Sequence, residues 1–325
     1  MKSMLLIKRM LIGAIALLAL QAHLQANAAY PEQPVRLVVT WPPGGSADAI
    51  GRLLGQALET GLGQPVVVEN AAGASGLIGT GQVARARPDG YTLVLATSTT
   101  NAAGPSLFKN LPFDPVDGFV PITLAASAPS VLIVAAGSAY HAVDDVIEAA
   151  RSRPGELNYG SGGVGNSGHL SGALFADAAH INVTHVPYKG NSPATMDLIG
   201  GQLDFMFDNN PVGLIKGGKV RALATTGAKR SSALPDVPTL KELGMPEVYL
   251  TTWFGLAAPK GTPPDIINTI NRALITGMRK NDTGEKLVRL GFESDILEPA
   301  EFRTFWKEEL NRYAQIVKLS GARKE

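Results

Sequence analysis

The chain has 325 residues, no cysteine, and 29 basic against 28 acidic side chains. The missing cysteine excludes disulfides, thiol catalysis and thiolate metal sites. The balanced charge argues against a nucleic-acid partner, which needs a basic surface, and the length suits two domains or one large α/β domain.

The first 28 residues read as an export signal. Lys2, Lys8 and Arg9 form a positive start, and residues 10–20 are apolar. Eleven apolar residues are too short for a stable membrane span. Ala26-Asn27-Ala28 supplies a small-x-small cleavage pattern, placing the cut after Ala28. The mature chain then carries 26 basic and 28 acidic residues. No later run approaches the length of a membrane span, so a soluble periplasmic protein is expected.

Strands and helices alternate from there on. Residues 35–40 (VRLVVT) form a near-continuous apolar run, as in a strand covered on both faces. Ile50, Leu53, Leu54 and Leu58 follow at helical spacing, with Gly63 as the stop. Residues 65–70, 91–99, 131–137, 157–161, 183–188, 203–208 and 220–227 read as further strands, and 143–151 as a helix. Leu170, Leu174 and Phe175 mark another helix. Near the C-terminus, Thr262-Pro263-Pro264-Asp265 starts a helix with Ile266, Ile267, Ile270 and Leu274 on one face. Phe302, Phe305, Trp306, Leu310, Tyr313 and Val317 form a second packing stripe. The alternation predicts an α/β protein with mostly parallel sheets flanked by helices. Two lobes joined by paired crossings are expected, near 122–127 and 251–258. The predicted boundaries are 1–28 for the signal peptide, 29–124 plus 252–325 for lobe one, and 125–251 for lobe two.

Two stretches share one local design: residues 40–51 (TWPPGGSADAIG) and 158–172 (NYGSGGVGNSGHLSG). Each runs from a strand through a glycine-rich turn and small polar residues into a helix. Glycine lets backbone N–H groups point outward, and a helix start adds unpaired donors with partial positive charge. Each loop is suited to hold an anion, and one loop per lobe would make a clamp. Residues 160–165 (GSGGVG) also match the G-x-G-x-x-G of dinucleotide-binding proteins. The export signal argues against that reading, as does the position of the nearest acidic partner, Asp177, inside a helix. A nucleophile elbow fails because His169 stands where the motif needs glycine. The alternative kept is an exported serine hydrolase acting on a small ester or amide, using Ser167 or Ser161 near His169. His180 and His185 have no carboxylate or cysteine cluster, so no metal site is expected, and no cofactor.

The sequence resembles the periplasmic substrate-binding proteins of tripartite tricarboxylate transporters, the Bug or TctC-like family. The resemblance is carried by YPEQPVRLVVTWPPGGSADAIGR (30–52), VVVENAAGASGLIG (66–79), HVPYKG (185–190), GGQLDFMFDN (200–209), RALATTGAKRSSALPDVPTLKELG (221–244) and TTWFGLAAPKGTP (251–263). It implies a two-lobed type II periplasmic-binding-protein fold that closes on a small organic acid without catalysis. The ligand would be a mono- or dicarboxylate, an aromatic acid or an amino acid. A monomer delivering its ligand to membrane permease subunits is implied, and some members are suspected of sensing roles.

Carried onto this chain, the family pattern puts the carboxylate against Trp41, Pro42, Gly44, Gly45, Ser46 and Asp48 in lobe one. In lobe two it meets Ser161, Gly162, Gly163, Asn166, Ser167 and His169. Trp41 stands where many relatives have phenylalanine. Ser46 is suited to cap its helix or to donate to ligand. Asp48 reads as a helix-start charge more readily than as a ligand contact. From the residues themselves, Tyr188 and Lys189 follow a strand, Lys189 being the nearest cation to a strand end. Asp208 and Asn209 close another strand, Thr97 and Ser98 close a third, and Ser75 forms a lip.

Overall fold

The computed structural model describes residues 30–322; the expected signal peptide therefore falls outside the described residues. Among the described residues ten strands form two five-stranded sheets. The first contains β1 (Val35–Val39), β2 (Val66–Asn70), β3 (Thr92–Thr97), β4 (Phe119–Pro129) and β10 (Thr251–Pro259), in the order β2-β1-β3-β10-β4. The second contains β5 (Val131–Ala135), β6 (Asn158–Ser161), β7 (Thr184–Pro187), β8 (Phe205–Asp208) and β9 (Val220–Thr225), in the order β7-β6-β8-β5-β9. Both sheets are mixed. β1 pairs in parallel with β2 and β3, while β10 is antiparallel to β3 and β4. In the second sheet β6 is parallel to β7 and β8, while β5 is antiparallel to β8 and β9.

The hydrophobic pattern dictates these layers. Leu37, Val38 and Val39 are all fully buried, so both faces of β1 are covered. Helix α1 (Ser46–Leu62) presents Ile50, Leu54 and Leu58 to the same core. It ends at Gly63 in a left-handed conformation. Helix α8 (Pro264–Lys280) crosses α1 where small residues meet: an added Cβ at Gly61 would lie 1.9 Å from the Ala273 carbonyl, and one at Gly277 would lie 1.7 Å from that of Ala57. The opposite face of the sheet is covered by α2 (Leu77–Ala84), α3 (Gly104–Leu107) and α10 (Pro299–Ser320). In the second sheet, α4 (Val143–Ser152) and α5 (Ser167–Ala179) cover one face. Helix α6 (Asn191–Ile199) and α7 (Val212–Lys216) cover the other. Helix α9 (Thr283–Arg289) follows α8.

Several ends differ from the sequence pattern, each for a local reason. The strand expected through residue 99 stops at Thr97, whose hydroxyl accepts the Thr100 amide and starts a wide helical turn, Ser98–Ala103. The strand expected from 203 begins at Phe205, because Asp204 turns its carboxylate to the Asn158 amide at 2.8 Å. Both expected crossing stretches lie within β4 and β10, which pair along their length from Phe119↔Pro259 to Pro129↔Thr251. After Pro129 a single residue, Ser130, separates β4 from β5 in the other sheet. α10 packs on α3 of the first layer and also on α5 of the second.

Candidate functional site

The two glycine loops lie where the sequence pattern puts them, between β1 and α1 and between β6 and α5. In an open α/β sheet these are the C-terminal strand ends, where ligands gather. In the first loop Pro42, Gly44 and Gly45 are exposed and Trp41 is half-buried. Helix α1 is capped by the backbone of Gly45, and no side chain caps it. Ser46 is thus the first helical residue, not the cap, which corrects one of its two expected roles.

Asp48 holds this loop in shape. Its carboxylate accepts the Gly44 amide at 3.0 Å, Asn70 Nδ2 at 3.0 Å and Arg52 Nε at 3.1 Å. Asn70 Nδ2 also donates to the Trp41 carbonyl at 3.0 Å. The Arg52 guanidinium, with the Gly44 amide and Asn70, holds the Asp48 carboxyl below the usual range despite burial. Trp41 Nε1 donates to Thr97 Oγ1 at 3.4 Å, tying the loop to the end of β3. The first bond of the helical ladder is Ala49 N–H to Gly45 O. The amides of Gly45, Ser46, Ala47 and Asp48 precede it, as the first four of any helix do.

The second loop is braced by histidines. Ser161 Oγ lies 2.7 Å from His185 Nε2 and accepts the Gly163 amide at 3.2 Å. His169 Nδ1 accepts the Gly165 amide at 3.0 Å. The two imidazoles stack with centroids 3.9 Å apart. Burial, with His169 alongside, pushes His185 down to about 4. Gly163 (φ 132°) and Gly165 (φ 77°) adopt backbone conformations that favour glycine. Asn166 caps α5, its Oδ1 accepting the His169 amide at 2.9 Å. With the Gly163, Gly165 and His169 amides engaged, and the α5 ladder starting at Leu170 N–H to Asn166 O, the amides of Ser167 and Gly168 stand ahead of it. The Ser161–His185 contact resembles a hydrolytic dyad. Ser161, however, has no exposed surface, and its hydroxyl is occupied with the loop, so the geometry is that of a brace.

The remaining expected residues divide by surroundings. Asp208 is buried, which raises its carboxyl above the ordinary range, and Asn191 Nδ2 donates to it at 2.8 Å. Asn166 Nδ2 in turn donates to Asn191 Oδ1 at 3.2 Å. An added Cβ at Gly162 would lie 2.3 Å from that oxygen. Asn209 Nδ2 reaches Thr252 Oγ1 of β10 at 3.4 Å. Tyr188 donates its hydroxyl to Asp197 Oδ2 at 2.6 Å, while Lys189 is exposed. Ser98 is buried, and its Oγ accepts the Trp253 amide at 3.4 Å. The Ser75 carbonyl accepts the Thr100 hydroxyl at 2.9 Å.

Four neighbours of the loops were not among the expected site residues: Thr40, Thr100, His185 and Asn191. Buried Thr40 Oγ1 and Asn101 Nδ2 have no hydrogen-bond partner among the described residues. An added Cβ at Gly76 would sit 2.4 Å from Thr100 Oγ1 and 2.9 Å from Thr40 Oγ1, so these hydroxyls crowd one spot. Asn191 had a readable signal, since HVPYKGNS is a third strand–glycine–helix junction. No cluster of three or more metal-binding side chains occurs among the described residues. No described helix is long and apolar enough to cross a membrane.

The unspent amides at two helix starts, with no Lys or Arg buried among the described residues, suit an anion that needs donors and partial charge more than a counter-ion. Comparison with known proteins agrees with this chemistry. The profile of the TctC family, described as tripartite tricarboxylate transporter family receptor, matches residues 50–322. The structure of periplasmic binding protein BugD is 35% identical, with a TM-score of 0.78 over 91% of this chain and 100% of that one. R. palustris Rpa4515 with adipate is 34% identical, with a TM-score of 0.82 over 90% and 99%. MatC (Rpa3494) from Rhodopseudomonas palustris with bound malate is 31% identical, with a TM-score of 0.77 over 89% and 100%. The fold is thus that of two-lobed periplasmic binding proteins, and the chain belongs to the tripartite tricarboxylate transporter receptor family, whose members are solute-binding proteins.

Proposed function

We propose that this chain is an exported, non-catalytic receptor that captures a small organic carboxylate between residues 41–48 and 161–169. It hands the ligand to the membrane permease subunits of a tripartite tricarboxylate transporter. The reading rests above all on the amides of Gly45 to Asp48 and of Ser167 and Gly168, which stand ahead of their helical ladders on loops fixed by Asp48 and by the His169–His185 pair. The adipate and malate held by two relatives make a dicarboxylate the first class to try. Residues 1–28 act as a cleaved signal, and the mature monomer works in the periplasm. Lobe one spans 29–124 and 252–325, lobe two spans 125–251, and the lobes close about β4 and β10.

The test is titration calorimetry of the purified protein against adipate, malate, aromatic acids and acidic amino acids, each beside its methyl ester. A carboxylate that binds while its ester does not supports the reading. Equal affinity for acid and ester overturns it. Small-angle scattering with the binding acid at saturation should show a smaller radius of gyration, and an unchanged radius refutes hinge closure.

A further inference from the structure

A cavity lies away from the glycine loops, beside β4 and β10. It has a volume of about 300 Å³, within the range of small-ligand sites. Its walls come from β4, the start of β10, residues 227–231 beyond β9, residues 293–297 and α10. Both layers of the fold therefore contribute. The body of the cavity is apolar, with Leu124, Pro129, Leu297 and Phe305.

Two opposite charges stand on this apolar lining. Asp295 Oδ2 accepts the Ser127 hydroxyl, and no hydrogen bond engages its other oxygen among the described residues. Lys229 is exposed and makes no ion pair among the described residues. The other charged groups of the lining are engaged elsewhere. Glu293 accepts the Ser232 amide and hydroxyl, each at 2.7 Å, and Arg230 pairs with Glu242 at 3.1 Å. An apolar chamber carrying one available carboxylate oxygen and one available ammonium matches a zwitterion with an apolar side chain.

We propose that this cavity is a second binding site, distinct from the glycine-loop cleft, for an apolar α-amino acid. The ligand ammonium meets Asp295, its carboxylate meets Lys229, and its side chain packs on Leu297 and Phe305. Glu293 and its serine partners hold the two walls together around it.

The probe is L-phenylalanine, titrated calorimetrically into the whole mature protein at millimolar concentration. Wild type should bind it. Asp295→Ala should weaken binding about tenfold, the worth of one charge-assisted hydrogen bond. Leu297→Arg should abolish binding by filling the chamber, with circular dichroism checking the fold. Phenethylamine and phenylacetate, each with half of the charge pair, should bind more weakly than phenylalanine. A crystal structure of the complex should place the ring against Phe305. No binding by wild type overturns the proposal. So does unchanged affinity in Asp295→Ala, or phenylalanine located only at the glycine loops. The last outcome would leave the proposed function standing while removing this site.

Discussion

Ser161 Oγ and His185 Nε2 lie 2.7 Å apart, and through this contact a half-buried imidazole shapes a glycine loop it does not belong to. His185 is pushed from its ordinary 6.5 to about 4 by burial and by His169. The folded protein therefore refuses a proton that the unfolded chain accepts. Above about pH 6.5 neither state is protonated there and the residue adds no pH dependence. Between about 6.5 and 4 stability falls as pH falls, and below about 4 the effect levels off. Calorimetric melts at stepped pH should show a steeper loss over this window for wild type than for His185→Gln. Parallel curves would refute the assignment.

Asp48 predicts a different response. Asp48→Ala removes the acceptor of the Gly44 amide and of Asn70 Nδ2. Leaving such partners unsatisfied costs about 1–3 kcal/mol, readable by urea unfolding. Arg52→Ala should cost less, about 0–1 kcal/mol, because its side chain is 57% exposed and water screens the pair. An Arg52 effect as large as that of Asp48 would mean the ion pair, rather than the loop contacts, carries the stability.

Ser46→Ala separates the two roles that sequence allows this residue. Gly45 occupies the cap position and no side chain caps α1, so the melting temperature should hold. A lost serine cap would cost about 1 kcal/mol. The affinity for the carboxylate identified by calorimetry should fall by about 0.5–1.5 kcal/mol, one hydrogen bond's worth. A drop in stability with unchanged affinity would reverse the assignment.

Gly165 offers a test of contact between the layers. A Cβ there would lie 2.6 Å from Leu107 Cδ1, on a backbone with φ at 77°. Gly165→Ala should destabilise by about 1–3 kcal/mol, part strain and part clash. Combining it with Leu107→Ala should cost less than the sum of the single changes, with a coupling of at least about 0.5 kcal/mol. Strict additivity by chemical denaturation would show that the two residues do not meet.

Much of this architecture is legible in the sequence, because VRLVV and TLVLAT can only be buried strands and because two glycine loops announce their own turns. The Gly63 stop of α1 follows from the same local rules. The rest depends on contacts remote in sequence. β4 and β10 are rich in alanine, proline and threonine, so their strand character comes from pairing with each other rather than from a hydrophobic pattern. Asp48 reads as a helix-start charge, and only the approach of Asn70 from β2 reveals a loop brace. His185 looks solitary until β7 lies beside β6 and brings it to Ser161. Ser98 reads as a strand-end donor, yet β10 and α10 draw it inward toward Trp253 and Tyr313.

The position of β10 bears on the order in which the chain completes its fold. It sits between β3 and β4, yet its residues, 251–259, come after every strand of the second sheet. All five strands of that sheet lie within residues 131–225 and can assemble as soon as they emerge. The first sheet cannot, because the place between β3 and β4 stays empty until the C-terminal quarter arrives. Until then the facing edges of β3 and β4 carry unpaired backbone groups beside buried-type side chains, the kind of surface that invites aggregation. The half of the molecule synthesised first is therefore the half completed last, and its exposed interval is set by the time needed to add residues 130–250.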